Sequence, residues 1–195
     1  MSETLHPIAD PAEFDVEGWL QDAQLPEESV TVYKRADIIA ELSDLKRRIA
    51  LENKATGADR AAGEEALTPL EQEYLAALQT FSASGLTVYV RALTEEELRT
   101  QRAATEERTK DLPPQEGNLE FGYDLLSLAI IAVKPAGGER KAVKFTPAKV
   151  KALRKAISDT QVSQILTARQ IAQNAVPSVD ADFLQKRSGE AAGSE

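Results

Sequence analysis

Two helical segments with the same hydrophobic spacing constrain the fold of this chain more than any other feature. Their apolar residues recur at steps of three and four: Ile38, Leu42, Leu45 and Ile49 in the first segment, and Leu67, Leu70, Tyr74, Ala77 and Phe81 in the second. This spacing is typical of the narrow contact seam of a coiled coil. A polar loop with two glycines, residues 53–66, joins the segments, so we expect an antiparallel helical hairpin.

A short β segment stands on each side of this hairpin. Residues 29–33 read SVTVY and residues 86–91 read LTVYVR, and both alternate along the chain and are rich in β-branched residues. The hairpin returns the second segment to the place where the first one ends, so we predict that the two strands pair. Because a two-stranded ribbon is only marginally stable alone, it must rest on a helix or be extended by a partner.

The pattern after Arg91 is helical, and it predicts a small helical bundle. Residues 118–133 are apolar on nearly every side, which indicates a helix at the buried centre of this bundle. Helix starts are indicated by N-cap residues, some with a capping-box partner: Thr68 with Glu71, Thr94 with Glu97, Thr146, and Ser158 with Gln161.

These segments divide the chain into four parts. We predict a mainly α fold, in which a coiled-coil hairpin flanked by a short two-stranded β element precedes a small α-helical bundle. The parts are an acidic, partly disordered N-terminal arm (1–28), the strand, hairpin and strand (29–93), the helical bundle (94–176) and a flexible C-terminal tail (177–195).

The residue inventory excludes most familiar catalytic centres. The chain has no cysteine and a single histidine, His6, so thiol catalysis, Cys/His zinc sites and the usual Ser-His pairs are excluded. Acidic runs such as residues 95–97 lie in helical sequence with many basic residues and indicate a solvated face. The turn at Gly137 and Gly138 lacks the pattern of a phosphate-binding loop. We therefore predict no enzymatic activity, no catalytic residues, no metal and no cofactor.

The chain also lacks the signals of a membrane or secreted protein. No apolar run approaches the roughly 20 residues that a bilayer-spanning helix needs. The first residues have neither a basic leader nor an apolar stretch, so we expect no signal peptide and a cytoplasmic location. The absence of cysteine fits a reducing compartment.

Charge is distributed unevenly in this acidic chain, whose formal net charge is −9. The segment from Lys134 to Lys155 holds eight basic residues and one acidic residue. Its two consecutive helical segments allow a DNA-binding alternative, which the overall acidity and a second helix poor in Arg and Asn disfavour. We favour contact with an acidic protein surface through Lys144, Lys149, Lys151 and Arg154.

Apolar residues outside the predicted seams are the other candidates for partner binding. The hairpin has either of two roles, a stiff spacer that packs on itself or a surface that another chain covers. A seam this short is barely stable, so covering its outer apolar residues would help. The candidates are Leu51, Leu75 and Leu78 on the hairpin, and Phe183 and Leu184 in the C-terminal tail.

Taken in order, these segments resemble the tail assembly chaperones of long-tailed bacteriophages, in particular those of phages that infect actinobacteria. The resemblance covers roughly residues 28–189 and rests on order and spacing. The family favours Arg-Gly-Asp-Leu after the first strand, where this chain has residues 35–38, RADI. The matching features are VYKRADI, Arg91-Ala92-Leu93, the acid-rich helix, Pro113-Pro114, the apolar segment 118–133, FTPAKVKALRKAISDTQVSQIL, Asn174, and VDADF with Ser188.

The resemblance implies a non-enzymatic role in tail assembly within the host bacterial cytoplasm. Such a chaperone coats the tape measure protein, keeps it soluble and helps to recruit tail tube subunits. It also implies self-association or a longer frameshifted form of the same protein as a partner, and it implies no membrane or nucleic acid partner. The rival hypotheses are a structural tail or connector protein that is retained in the virion and, with less support, a helical DNA-binding regulator.

Overall fold

The structure, a computed structural model, describes residues 15–21, 23–55 and 67–176. The predictions for residues 1–14, for most of the loop and for the tail from residue 177, including Phe183 and Leu184, lie outside this part of the chain.

The described part of the chain forms seven helices and four strands. The helices are α1 (Val16–Gln21), α2 (Ile38–Ala55), α3 (Pro69–Ala83), α4 (Glu95–Thr109), α5 (Pro114–Ala129), α6 (Pro147–Ile157) and α7 (Asp159–Asn174). The strands are β1 (Glu27–Tyr33), β2 (Gly85–Arg91), β3 (Ile130–Pro135) and β4 (Lys141–Ala142).

The four strands form one antiparallel sheet in the order β1-β2-β3-β4. Val30 lies opposite Val88 and Val32 opposite Leu86, so the apolar residues of β1 and β2 share one face. A bulge between Tyr89 and Val90 shifts the register of β2 against β3. The sheet therefore has one apolar face and one mixed face.

The apolar face is covered by α5, α6 and α7, and the main core lies between these two layers. Val88 and Val90 in the sheet and Ile165 in α7 are fully buried. On the other face, the guanidinium of Arg140 lies 4.3 Å from the ring centre of Tyr89 and binds Glu27 at 2.7 Å. The fold is thus a sheet with helices packed on one side.

The predicted fold class, a mainly α chain with a coiled-coil hairpin and a two-stranded β element, is wrong. The structure is mixed α/β with a four-stranded antiparallel sheet. The error lies in residues 118–133, which we interpreted as one helix: α5 ends at Ala129, and Ile130 is already extended. The run IIAV then forms β3 and pairs with β2. A continuous apolar run fits a buried helix and a buried strand equally well, so periodicity could not separate them.

The correction also changes the role of the C-terminal helices. They do not form a bundle of their own, since α7 packs on β1 and β2 and the core is shared with the sheet. The sheet takes strands from both residues 29–93 and residues 94–176.

The hairpin of α2 and α3 leaves the sheet where β1 ends and returns where β2 begins. Tyr33 lies opposite Gly85 in this sheet, so α2 and α3 run antiparallel, and they pack mainly on each other. At the base, the ring of Tyr33 stacks on Phe81 with centres 4.3 Å apart. A Cβ on Gly85 would lie 3.2 Å from that Tyr33 ring and 3.2 Å from the Ser82 carbonyl oxygen, which explains the glycine at this position.

Three of the predicted N-caps are confirmed. Thr68 and Thr94 form capping boxes with Glu71 and Glu97, and the Thr146 hydroxyl accepts a hydrogen bond from the backbone of α6. The Ser158 prediction is wrong: its side chain makes no capping hydrogen bond, and its φ is +83°.

Gln161 instead binds the backbone at the end of β1. Its Oε1 accepts from the Tyr33 N–H at 2.6 Å, and its Nε2 donates to the Tyr33 carbonyl at 2.9 Å and to the Ile157 carbonyl at 2.5 Å. Gln173 binds the Leu93 backbone similarly: its Oε1 accepts from the Leu93 N–H at 2.9 Å, and its Nε2 donates to the Leu93 carbonyl at 3.0 Å. These two glutamine amides attach α7 to the sheet and to the start of α4.

Replacing Gln161 with alanine should destabilise the fold by about 1–3 kcal/mol, because the Tyr33 N–H and carbonyl lose their partner in a half-buried place. The free energy of unfolding from denaturant titration measures the effect. Gln164→Ala, at an exposed position of the same helix, is the control and should change stability by less than about 0.5 kcal/mol. Equal effects of the two substitutions would contradict the role given to Gln161.

An ion pair fixes the start of α4 to the end of β2. The guanidinium of Arg91 binds the Glu97 carboxylate at 2.5 and 3.1 Å, and this hydrogen bond, helped by the backbone N–H of Thr94, lowers the pKa of Glu97 from 4.5 to about 2. The lowered pKa means that the unfolded chain takes up the proton first as pH falls. The stabilisation is therefore complete above about pH 5 and is lost as pH falls toward 2.

Glu97→Gln should reduce stability at neutral pH by on the order of 1 kcal/mol, since a carboxylate one-third exposed is partly screened. The difference between this variant and the parent should shrink between pH 5 and pH 2, as measured by denaturant titration at a series of pH values. The neighbouring exposed Glu96→Gln is the control. A difference that stays constant over this range would show that the ion pair adds no stability.

Candidate protein-interaction surfaces

The hairpin carries a flank of exposed aliphatic side chains. Ile39 in α2 and Leu75 and Leu78 in α3 are 50%, 40% and 36% exposed. At 3.6 residues per turn, each lies about 70–130° round its helix from the seam. Because the helices are antiparallel, these displacements point to the same side of the hairpin. We call these three residues the hairpin flank.

Leu51 lies elsewhere, although the sequence grouped it with Leu75 and Leu78. It is 60% exposed, and its helical phase places it on the back of α2, about 200° from the seam. Leu67 is also exposed and precedes the first turn of α3. By helical phase, Leu75 and Leu78 therefore share a side of the hairpin with Ile39, which sequence reasoning missed. The position of Ile39, one residue after the seam residue Ile38, was the available signal.

A second surface is an apolar groove of about 300 Å³ between α5 and α7. Its floor includes Tyr123 and Val162, and the half-exposed Leu119 and Leu166 contribute to its sides. Gly122 faces open space here, since a Cβ built on it meets nothing within 4 Å. Sequence reasoning missed this groove, because its two sides lie more than forty residues apart in the chain.

The basic side chains at one end of the groove are already paired. Arg154 donates to the Tyr123 hydroxyl at 2.5 Å and forms an ion pair with Asp159. Lys151 binds Glu120 at 2.6 Å and lies over the Tyr123 ring. These contacts hold α6 against α5 and α7, so a partner that used Lys151 or Arg154 would have to share them with these acids.

Glu120 is also bound by a cation from α4. Arg108 reaches Glu120 at 3.1 Å and Asp124 at 2.5 Å, and Thr105 donates to Asp124 at 2.6 Å. The Asp124 side chain is only 4% exposed, so it needs these partners. The hydrogen bond from Lys151, and then that from Arg108, lowers the pKa of Glu120. This ladder of charges joins α4, α5 and α6.

Lys144 and Lys149 lie apart from this ladder. Both are exposed, and the Lys149 ammonium donates to the Lys144 carbonyl at 3.1 Å across the first turn of α6. Neither lysine makes an ion pair within the described ranges, so both present positive charge to solvent. Of the four predicted basic residues, these two are available to an acidic surface and the other two serve internal contacts.

Replacing Gly122 with alanine should stabilise the protein by about 0.5–1 kcal/mol, because the methyl group enters open space and alanine favours the helix. Gly117→Ala in the same helix is the matched variant and should gain less, since its Cβ would lie 3.3 Å from the Thr109 hydroxyl oxygen. Thermal and denaturant unfolding measure both. A larger gain at Gly117 than at Gly122 would contradict the open groove.

The described residues carry an exposed aliphatic flank on the hairpin and an apolar groove between α5 and α7. No group of three or more His, Cys, Asp or Glu side chains among them is placed to hold a metal ion. None of their helices has the length and apolar character to cross a membrane. No protein-family model, curated protein or solved structure matches the chain.

Proposed function

We propose that this protein is a non-enzymatic tail assembly chaperone of a long-tailed bacteriophage, working in the host bacterial cytoplasm. Its task is to bind the tape measure protein, keep it soluble and help to recruit tail tube subunits. The proposal rests on the order of sequence segments that resembles this family and on the hairpin flank.

The hairpin flank is the observation that supports this proposal best. The hairpin packs mainly on itself, so the flank is held away from the core. A partner helix can lie along the exposed side chains of Ile39, Leu75 and Leu78, so that aliphatic surface of the flank and of the partner is buried. This is the chemistry that an insoluble, apolar helical client requires.

Repetition makes modest affinity sufficient. A tape measure protein is long, so many copies bind along one client and neighbouring copies raise each other's effective concentration. Self-association, or association with a longer frameshifted form of this chain, strengthens such a coat. The weak binding of each copy then allows tube subunits to displace it.

The DNA-binding alternative loses support from the charge ladder, because Lys151 and Arg154 are both engaged by acids within the protein. The exposed lysines that remain in this segment belong to a chain of net charge −9, which disfavours association with a polyanion. A structural tail protein retained in the virion would use the same hairpin flank, and the protein content of purified particles separates it from a chaperone.

The test is co-expression with a tape measure protein from the same phage. The parent protein should keep the tape measure protein soluble and co-purify with it. The double variant Leu75→Glu, Leu78→Glu should reduce the co-purified amount at least about tenfold, because it places two charges in the apolar contact.

Leu51→Glu is the matched control, since it puts the same charge on an exposed leucine on the other side of the hairpin. It should leave the tape measure protein soluble. An insoluble tape measure protein with the parent chain would refute the chaperone proposal. Equal loss with the flank and control variants would refute the hairpin flank as its binding surface.

A further inference from the structure

β1 forms one border of the sheet, and half of its backbone faces outward. Its even-numbered residues pair with β2; next to its ends, the Lys34 N–H donates to Ser84 at 3.4 Å and the Pro26 carbonyl accepts at 2.9 Å. The odd-numbered residues therefore direct their N–H and carbonyl groups away from the sheet. Within the described ranges, these groups of Glu27, Ser29 and Thr31 have no hydrogen-bond partner.

The two borders of the sheet differ in how they are protected. β4 has only two residues, one of them Lys141, and short charged strands resist further pairing. β1 has seven residues without proline or lysine, which leaves a border long enough for another strand. Among the residues that the structure describes, the Gln161 amide covers only the last residue of β1, since it holds the Tyr33 backbone as a neighbouring strand would.

We propose that β1 pairs with β1 of a second copy of this chain, antiparallel and with the two-fold axis at Thr31. Thr31 then faces the second copy's Thr31, and Ser29 faces its Tyr33. The odd-numbered residues of both copies become hydrogen-bonded pairs, and the two sheets join into one of eight strands.

Charge complementarity fixes this register. β1 begins with Glu27 and Glu28 and is followed by Lys34 and Arg35, so an antiparallel copy sets each acid opposite a base. Glu27 and Arg35 already pair with Arg140 and Asp37 within the chain, so the charge argument rests on Glu28 and Lys34. Glu28 faces the second copy's Lys34, and neither residue has an ion-pair partner in the described part of the chain. Opposite charges across strands stabilise the pairing, and each interface contains this pair twice.

The neighbouring register, with its axis at Ser29, has the opposite electrostatics. It would place the two Glu28 side chains diagonally on the same face of the joined sheet, where like charges repel. The Ser29 register would leave the hydrogen bonds between Gln161 and the Tyr33 backbone in place. In the Thr31 register, Ser29 of the second copy replaces Gln161 as the hydrogen-bond partner of the Tyr33 backbone. Gln161 therefore competes with dimerisation, and its removal favours the dimer.

Sedimentation of the full chain over a range of concentrations tests the proposal. The parent should dimerise, Glu28→Lys and Lys34→Glu should each raise the dimer dissociation constant about tenfold, and the double exchange should restore it. Gln161→Ala should lower the constant. A parent that is monomeric throughout, or a dimer indifferent to these charges, would overturn the proposal.

Single cysteines test the register directly, because the chain has none of its own. Thr31→Cys should form a disulfide dimer on oxidation, since facing residues bring their Cα atoms about 5.5 Å apart. Ser29→Cys is the control, because its two symmetry-related positions would lie about 13 Å apart, too far for a disulfide. It should form no covalent dimer, as seen by denaturing electrophoresis without reducing agent. Cross-linking of Ser29→Cys alone would overturn the proposed register. Neither experiment involves a tape measure protein, so its result is independent of the proposed function.

Discussion

The hydrogen bonds between the Gln161 amide and the Tyr33 backbone join the three parts of the structure at one residue. Tyr33 ends β1, its ring stacks on Phe81 in the hairpin, and Gln161 belongs to the helix layer beneath the sheet. A loose end of β1 would loosen the base of the hairpin as well. The direction in which the hairpin leaves the sheet therefore depends on an amide more than a hundred residues further along the chain.

Covering the sheet on one face concentrates the stabilising interactions there. The valines of β1 and β2 and the apolar residues of α5, α6 and α7 bury each other, while the charge ladder through Glu120 and Asp124 fastens the outer helices. The hairpin takes little part in this core. Its outer side chains are consequently free to serve a partner, and substitutions there should affect binding more than folding.

Local signals in the sequence were sufficient to locate helices α2 and α3, strands β1 and β2 and three of the helix caps, although not the fold class that contains them. They failed where the outcome depends on distant residues. Ile130–Pro135 forms a strand because it can pair with β2. Gln161 binds the Tyr33 backbone, which lies next to it, and does not take the predicted capping role. The hairpin flank could be predicted only in part. Helical phase can be calculated from sequence, but the exposure of the side chains depends on what else packs against the helices.

The two proposed contacts meet at Tyr33, and this makes them physically dependent on each other. Pairing at β1 replaces Gln161 as the backbone partner of Tyr33, whereas the ring of the same residue supports Phe81 at the base of the hairpin. A change in the position of the backbone would move the ring, and so the hairpin flank, relative to the sheet. By linkage, a client that prefers one position of the hairpin would then alter dimerisation by the same factor as dimerisation alters client binding. A coat that assembles on one long client would gain cooperativity from such coupling.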